Sequence, residues 1–248
     1  MSTTSTAPSC CTLAPVTTDY VSKGEVVSLG DLNVYIVGSK GASNAVIINY
    51  DIFGDMVNTR QVADLIASQG FRVAMPDLCR GDPWPANIWP PTNGFGEVMA
   101  HIQKNASFPS VQKDFKAVEE YLRAEGTKHF GILGFCWGGV MVALLSQDPA
   151  YEAGVLVHPG GFSLEDAAKV KAPLLILPAQ DDAATTFDPI FEAIKKIQPA
   201  TKMVRFDDVP HGFCASRSDF SDPLRAKRAN EAIQHASSFF KANLGVRA

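Results

Sequence analysis

From Ala45 onward, short and continuously apolar runs alternate with stretches of helical periodicity, and no other feature of this 248-residue chain constrains its fold as much. Ala45–Asn49, Phe71–Met75, His129–Leu133, Ala153–Val157, Leu174–Leu177 and Lys202–Phe206 read as strands. A run that is apolar at every position, rather than at every second one, belongs to a strand covered on both faces, as in parallel sheets. Between these runs, Thr59–Ser68, Val111–Glu125, Gly138–Ser146, Ser163–Val170, Pro189–Ile197 and Leu224–Leu244 carry helix patterns and end signals, such as Gly70 closing the first. The expected class is therefore α/β, a mostly parallel central sheet with helices on both faces. Ahead of it, Gly24–Leu29 and Leu32–Val37 flank Gly30-Asp31, which suits a tight hairpin.

Sheets of this kind often form one core of about 200–250 residues. Residues 19–248 are accordingly expected to be a single domain, preceded by a flexible Ser/Thr/Pro-rich tail at 1–18. One segment breaks the alternation. Between about 76 and 110 lie Pro76, Pro83, Pro85, Pro90, Pro91 and Pro109, with Trp84, Trp89 and Phe95. A loop this long reads either as a lid or substrate wall or as a packed surface excursion.

Composition removes several classes of function. The 22 Lys and Arg against 26 Asp and Glu give a net charge of −4 without a basic block, so nucleic-acid binding has no electrostatic footprint. No apolar run approaches the roughly 20 residues of a membrane span. The 5 cysteines form no Cys-x-x-Cys pair, and the N-terminus lacks an apolar segment and arginine. Neither a disulfide framework, a structural zinc site nor a secretory signal is expected, and the reading is a soluble, cytoplasmic protein.

Ligands on parallel sheets sit beyond the carboxyl ends of the strands. Three strand ends there carry chemistry. Gly134-Phe135-Cys136-Trp137-Gly138-Gly139 joins a strand to a helix in the pattern Gly-x-nucleophile-x-Gly, a turn too tight for side chains at its glycines. Cys136 then stands over a helix N-terminus, where the dipole favours a thiolate, and the Trp137 N–H can serve an oxyanion. Such a nucleophile needs an acid and then a histidine after later strands. Gln180-Asp181-Asp182 follows Leu174–Leu177, and His211-Gly212-Phe213 follows Lys202–Phe206. His211 is read as base and Asp181 as its orienting acid, with Asp182 the competitor. His158, also at a strand end, is a candidate pocket residue, with a satisfied loop histidine as the bland alternative. In Tyr50-Asp51-Ile52-Phe53-Gly54, Ile52 is the second oxyanion donor and Asp51 is placed to touch the nucleophile.

The set Asp51-Ile52-Phe53-Gly54, Gly134 to Gly139, Gln180-Asp181 and His211-Gly212-Phe213 resembles the dienelactone hydrolase (carboxymethylenebutenolidase) family, from about Gly24 to the C-terminus. Pro76 to Trp84 looks more like its eukaryotic branch than its bacterial one. The resemblance implies an α/β-hydrolase fold, a Cys136-His211-Asp181 triad, a small ester or lactone as substrate, and no metal or cofactor. Bacterial members carry a glutamate beside the thiol and two arginines that grip a substrate carboxylate. Here the matching acid is Asp51, one methylene shorter, and the nearest arginines are Arg80 and Arg217, both displaced from the family positions. A non-catalytic binder, or a thiol redox sensor with Cys214 as resolving partner, are the alternatives to a hydrolase.

Overall fold

In the computed structural model, which describes residues 13–246, the apolar runs become β1 (Glu25–Leu29), β2 (Leu32–Val37), β3 (Asn44–Asn49), β4 (Arg72–Pro76), β5 (His129–Phe135), β6 (Ala153–Val157), β7 (Leu174–Leu177) and β8 (Lys202–Met203). They form one sheet in the order β1-β2-β4-β3-β5-β6-β7-β8. The β1–β2 hairpin pairs Leu29 with Leu32 around Gly30, whose φ of 66° is the left-handed value that such a turn requires. β2 meets β4 antiparallel, and every pairing from β4 to β8 is parallel. Strands β4, β6 and β7 are buried at every residue; β6 and β7 are apolar throughout, and β4 buries Arg72 against Glu125.

The helices are α1 (Val57–Ala67), α2 (Phe95–Gln103), α3 (Phe108–Ala124), α4 (Trp137–Leu145), α5 (Leu164–Ala167), α6 (Ala184–Ile197) and α7 (Pro223–Asn243). α1 packs with α7, and α3 packs with α4, as the two helical layers. Among the described residues, no helix is long and apolar enough to cross a membrane.

The elements depart from the sequence expectations in four places. α6 starts at Ala184 rather than Pro189, because Phe187, Ile190 and Ile194 form one buried stripe that runs past the proline. β8 covers only Lys202–Met203, although Val204 and Phe206 still donate to Ile176 and Pro178. Pro178 has no N–H to return, so the ladder continues only as a bridge between Ala179 and Phe206. The Pro/Trp-rich segment contains α2, anchored by buried Val98 and Ile102 at i,i+4 spacing. Of the expected tail at 1–18, residues 1–12 lie outside the described residues. From Val16 the chain is tied down: the Val16 N–H donates to the Ser216 carbonyl, and the Tyr20 hydroxyl donates to Asp64.

Candidate active site

β5 ends at Phe135 and α4 begins at Trp137, so Cys136 alone makes the turn, with φ 54° and ψ −118°. A non-glycine residue held there is strained and persists only where its surroundings over-determine it. They do so here. The Cys136 N–H donates to the Val157 carbonyl (3.2 Å), and the Cys136 carbonyl accepts from Gly139 (3.0 Å) and Gly160 (2.9 Å). A Cβ on Gly134 would stand 2.1 Å from the Gly138 carbonyl oxygen, and one on Gly138 would stand 2.4 Å from those of Asn49 and Tyr50. The two glycines thus let β3, β5 and α4 approach closely enough to present the thiol. Trp137, in the first turn of α4, has an N–H with no intrahelical acceptor.

His211 reaches this thiol from the loop after β8. Its side chain lies close enough to Cys136 for the two to interact electrostatically, and its Nδ1 lies 2.8 Å from Asp182 Oδ1. Burial disfavours the imidazolium, but Cys136 and Asp182 outweigh that cost and raise the His211 pKa from 6.5 to about 10. The acid on the ring is therefore Asp182, which corrects the expectation of Asp181. The reason is the turn after β7. The Asp182 N–H donates to the Ala179 carbonyl (3.1 Å), and Asp182 Oδ2 accepts the Ala179 N–H (2.8 Å). That reciprocal closure folds the second aspartate back beneath the histidine. Asp181 Oδ2 instead accepts the backbone N–H of His211 at 3.4 Å.

The remaining candidates divide. Asp51 is buried, lines the same cavity, and is heavily engaged. Its Oδ1 accepts the Phe53 N–H (2.9 Å), and its Oδ2 accepts both the N–H and the hydroxyl of Ser216. Gly54 donates to the Asp51 carbonyl. The N–H groups of Phe53 and Gly54 are thus engaged within the loop, while that of Ile52 makes no such bond. Arg217 is brought to the cavity, but Arg80 is not. Arg80 has φ 55°, and its guanidinium turns to a bidentate pair with buried Asp114 of α3 (2.8 and 2.9 Å) and a contact to Asp31 at 3.3 Å. This corrects the expectation that Arg80 faces substrate. His158 fits neither of its expected roles. It is 0% exposed behind His211, with ring centroids 4.8 Å apart, and both of its ring nitrogens lack a partner. Burial, with His211 and Arg217 beside it, holds His158 well below its usual pKa and hence neutral. Cys214 is also sealed from the cavity, and burial pushes its thiol up to about 12. That position does not suit a resolving thiol.

Cys136, His211, Asp51, Asp181 and Asp182 open into a cavity of about 640 Å³. Its walls include Phe53, Trp89, Pro159, Gly161 and Phe187. Trp89, Pro90, Pro91 and Phe95 come from the Pro/Trp-rich segment, which thus forms part of the cavity wall. Sequence reasoning did not single out Ser216, Pro159 or Phe187. Ser216 carries no signal of its own, since it matters only through Asp51, which lies 165 positions earlier. Among the described residues, no cluster of three or more His, Cys, Asp or Glu side chains is arranged to hold a metal ion.

The model of the dienelactone hydrolase family matches residues 32–244. The chain is 32% identical to an uncharacterized AIM2 family protein of Schizosaccharomyces pombe, across 90% of this chain and 92% of that protein. It is 30% identical to the carboxymethylenebutenolidase homolog of Rattus norvegicus, across 86% and 89% of the two chains. Among solved structures, the dienelactone hydrolase of Anabaena variabilis superposes with a TM-score of 0.62 at 15% identity, covering 90% of this chain and 98% of that one. At that identity the likeness speaks for the fold.

Proposed function

This chain belongs to the dienelactone hydrolase family and is a hydrolase acting on lactones or esters, and from that premise we propose that it works through a Cys136–His211–Asp182 triad. The observation that carries the reading is the placement of His211, which shares a cavity and an electrostatic interaction with Cys136 and is hydrogen-bonded through Nδ1 to Asp182.

In this mechanism His211 takes the thiol proton, and Asp182 stabilises the resulting imidazolium and keeps its ring in register. The Cys136 thiolate adds to the substrate carbonyl. The oxyanion formed is met by the N–H groups of Ile52 and Trp137, each worth ~3–4 kcal/mol by comparison with known oxyanion holes. Collapse breaks the carbonyl–oxygen ester bond, the imidazolium protonates the departing alkoxide, and a thioester remains on Cys136. Water, deprotonated by His211, then adds to the thioester and releases the acid and the thiolate. From a lactone the alcohol stays tethered, and the product is a hydroxy acid.

Asp51 has a different part from the glutamate of the bacterial relatives. With its oxygens taken by Phe53 and Ser216, it acts as a clamp that fixes the Ile52 loop against the segment after His211. Chromogenic ester turnover by wild type and Cys136→Ala tests the reading, together with acid quenching and mass spectrometry of the acyl-enzyme. The acyl group should appear on Cys136, and the variant should fall to background. Retention of most of the activity in Cys136→Ala places the chemistry elsewhere.

A further inference from the structure

The cavity is built for more than a small ring. Resting on the hydrolase reading above, we propose that its substrates are uncharged esters or lactones with an extended aromatic or fused-ring body, held by apolar walls on both flanks of Cys136.

Three observations converge on this class. The first is size. A volume of about 640 Å³ lies in the range of pockets that enclose drug-sized ligands, roughly 300–1,000 Å³, and a single five-membered lactone leaves most of it empty.

The second is the two-sided layout. β5 lies between β3 and β6, so the loops that follow those strands flank Cys136 on opposite sides. On the β3 side, Phe53 and Trp89 meet edge to face at 5.2 Å, and the Arg217 guanidinium lies over both rings at 5.5 and 5.3 Å. These flat groups make a stacking surface, which continues to Phe95 at the rim, 43% exposed. On the β6 side, Gly160 and Gly161 carry no side chains, and a Cβ on Gly161 would already stand 3.2 Å from the Thr186 methyl. The glycines thus let this loop pack closely against Val140 and Thr186, and Pro159, Gly160, Gly161 and Phe187 of α6 line this flank of the cavity.

The third is charge. Asp51, Asp181 and Asp182 line the cavity against one arginine, whose guanidinium is stacked on two rings and donates to the His211 carbonyl at 3.2 Å. A free carboxylate on the substrate would meet more negative charge than positive. Apolar contact is the currency such walls offer, and each added apolar group is worth ~10-fold or more in specificity.

A matched panel of p-nitrophenyl esters tests the proposal: acetate, benzoate, 2-naphthoate and 6-carboxy-2-naphthoate. Each kcat/KM is divided by the ester's rate of alkaline hydrolysis, which removes intrinsic reactivity. The normalised value should rise at least about tenfold from acetate to 2-naphthoate, and the added carboxylate should bring no gain. Phe187→Ala and Trp89→Ala should each raise KM for the naphthoate by several-fold more than for the acetate. If acetate equals naphthoate, or the carboxylated ester is preferred tenfold, the substrate class is wrong while the hydrolase reading stands. If no ester acylates Cys136, both fall together.

Discussion

Replacing Asp182 by asparagine separates the proposed triad from its neighbour more sharply than any truncation. The carboxylate has two acceptor duties: Oδ1 faces His211 Nδ1 at 2.8 Å, and Oδ2 accepts the Ala179 N–H at 2.8 Å. An amide has one oxygen. If that oxygen stays on Ala179, the NH₂ group points at Nδ1, which must then become an acceptor. The imidazole proton moves to Nε2, and the ring can no longer take the thiol proton from Cys136. If the amide flips, the ring keeps its tautomer but Ala179 N–H faces a donor, at ~1–3 kcal/mol for the buried mismatch, and the imidazolium loses its counter-charge. Either arrangement damages catalysis, and the first predicts a loss of ~10⁴ in kcat, as seen when an orienting aspartate is amidated in a comparable triad. Asp181→Asn replaces an acceptor of a backbone N–H at 3.4 Å, and its amide oxygen can still accept, so the loss should stay below about tenfold. Steady-state hydrolysis of a chromogenic ester near neutral pH, with circular dichroism to verify folding, reads both variants. An Asp181→Asn loss equal to or larger than that of Asp182→Asn would refute the assignment.

Arg80→Gln should strand the buried Asp114 carboxylate and destabilise the protein by ~1–3 kcal/mol, discounted from a fully buried pair because Arg80 is partly exposed; the drop in Tm should come with equal changes in activity toward charged and neutral esters. A selective loss on carboxylate substrates would restore Arg80 to the site. His158→Phe removes two buried nitrogens that have no partner while keeping a flat ring against Phe135 and His211, so Tm should hold or rise, and activity should stay within about threefold. A loss beyond about thirtyfold would mean that His158 takes part in the chemistry. The raised pKa of His211 also has a stability consequence: the folded state holds this proton more tightly than the unfolded state. Its contribution is fully present below about pH 6.5 and fades as pH rises toward 10. Urea denaturation should show wild type losing its margin over His211→Gln across that window, and parallel curves would contradict it.

The parts legible in the sequence are those that local rules decide. Doubly buried strands need no partner to declare themselves, since an unbroken apolar run such as Leu174–Leu177 has few other uses. The turn at Cys136 was legible for a related reason: two glycines flanking one residue between strand and helix leave the backbone little choice. What escaped depends on groups that meet only after folding. β8 stops early because a proline in its neighbour, not in itself, lacks an N–H. Arg80 follows β4 as expected, yet its side chain answers to Asp114, 34 residues further on in α3.

The same distinction explains the acid. Asp181 and Asp182 are chemically identical and adjacent, so no pattern of residue types can rank them. The choice is made by one turn, in which Asp182 both donates to and accepts from Ala179. Asp51 carries the lesson one step further. Its position beside the nucleophile was readable from the strand end, but a carboxylate's role depends on how many donors reach it, and two of its three donors belong to Ser216, from the far end of the chain. A group already bound by three hydrogen bonds has little capacity left to draw a proton from a thiol. It has full capacity to hold the Ile52 loop and the segment after His211 at one separation, and that separation would set the distance between the proposed oxyanion donor and the proposed base. In the proposed mechanism, shortening the family glutamate by one methylene therefore leaves Cys136 with a base, because His211, paired with Asp182 through Nδ1, takes that part.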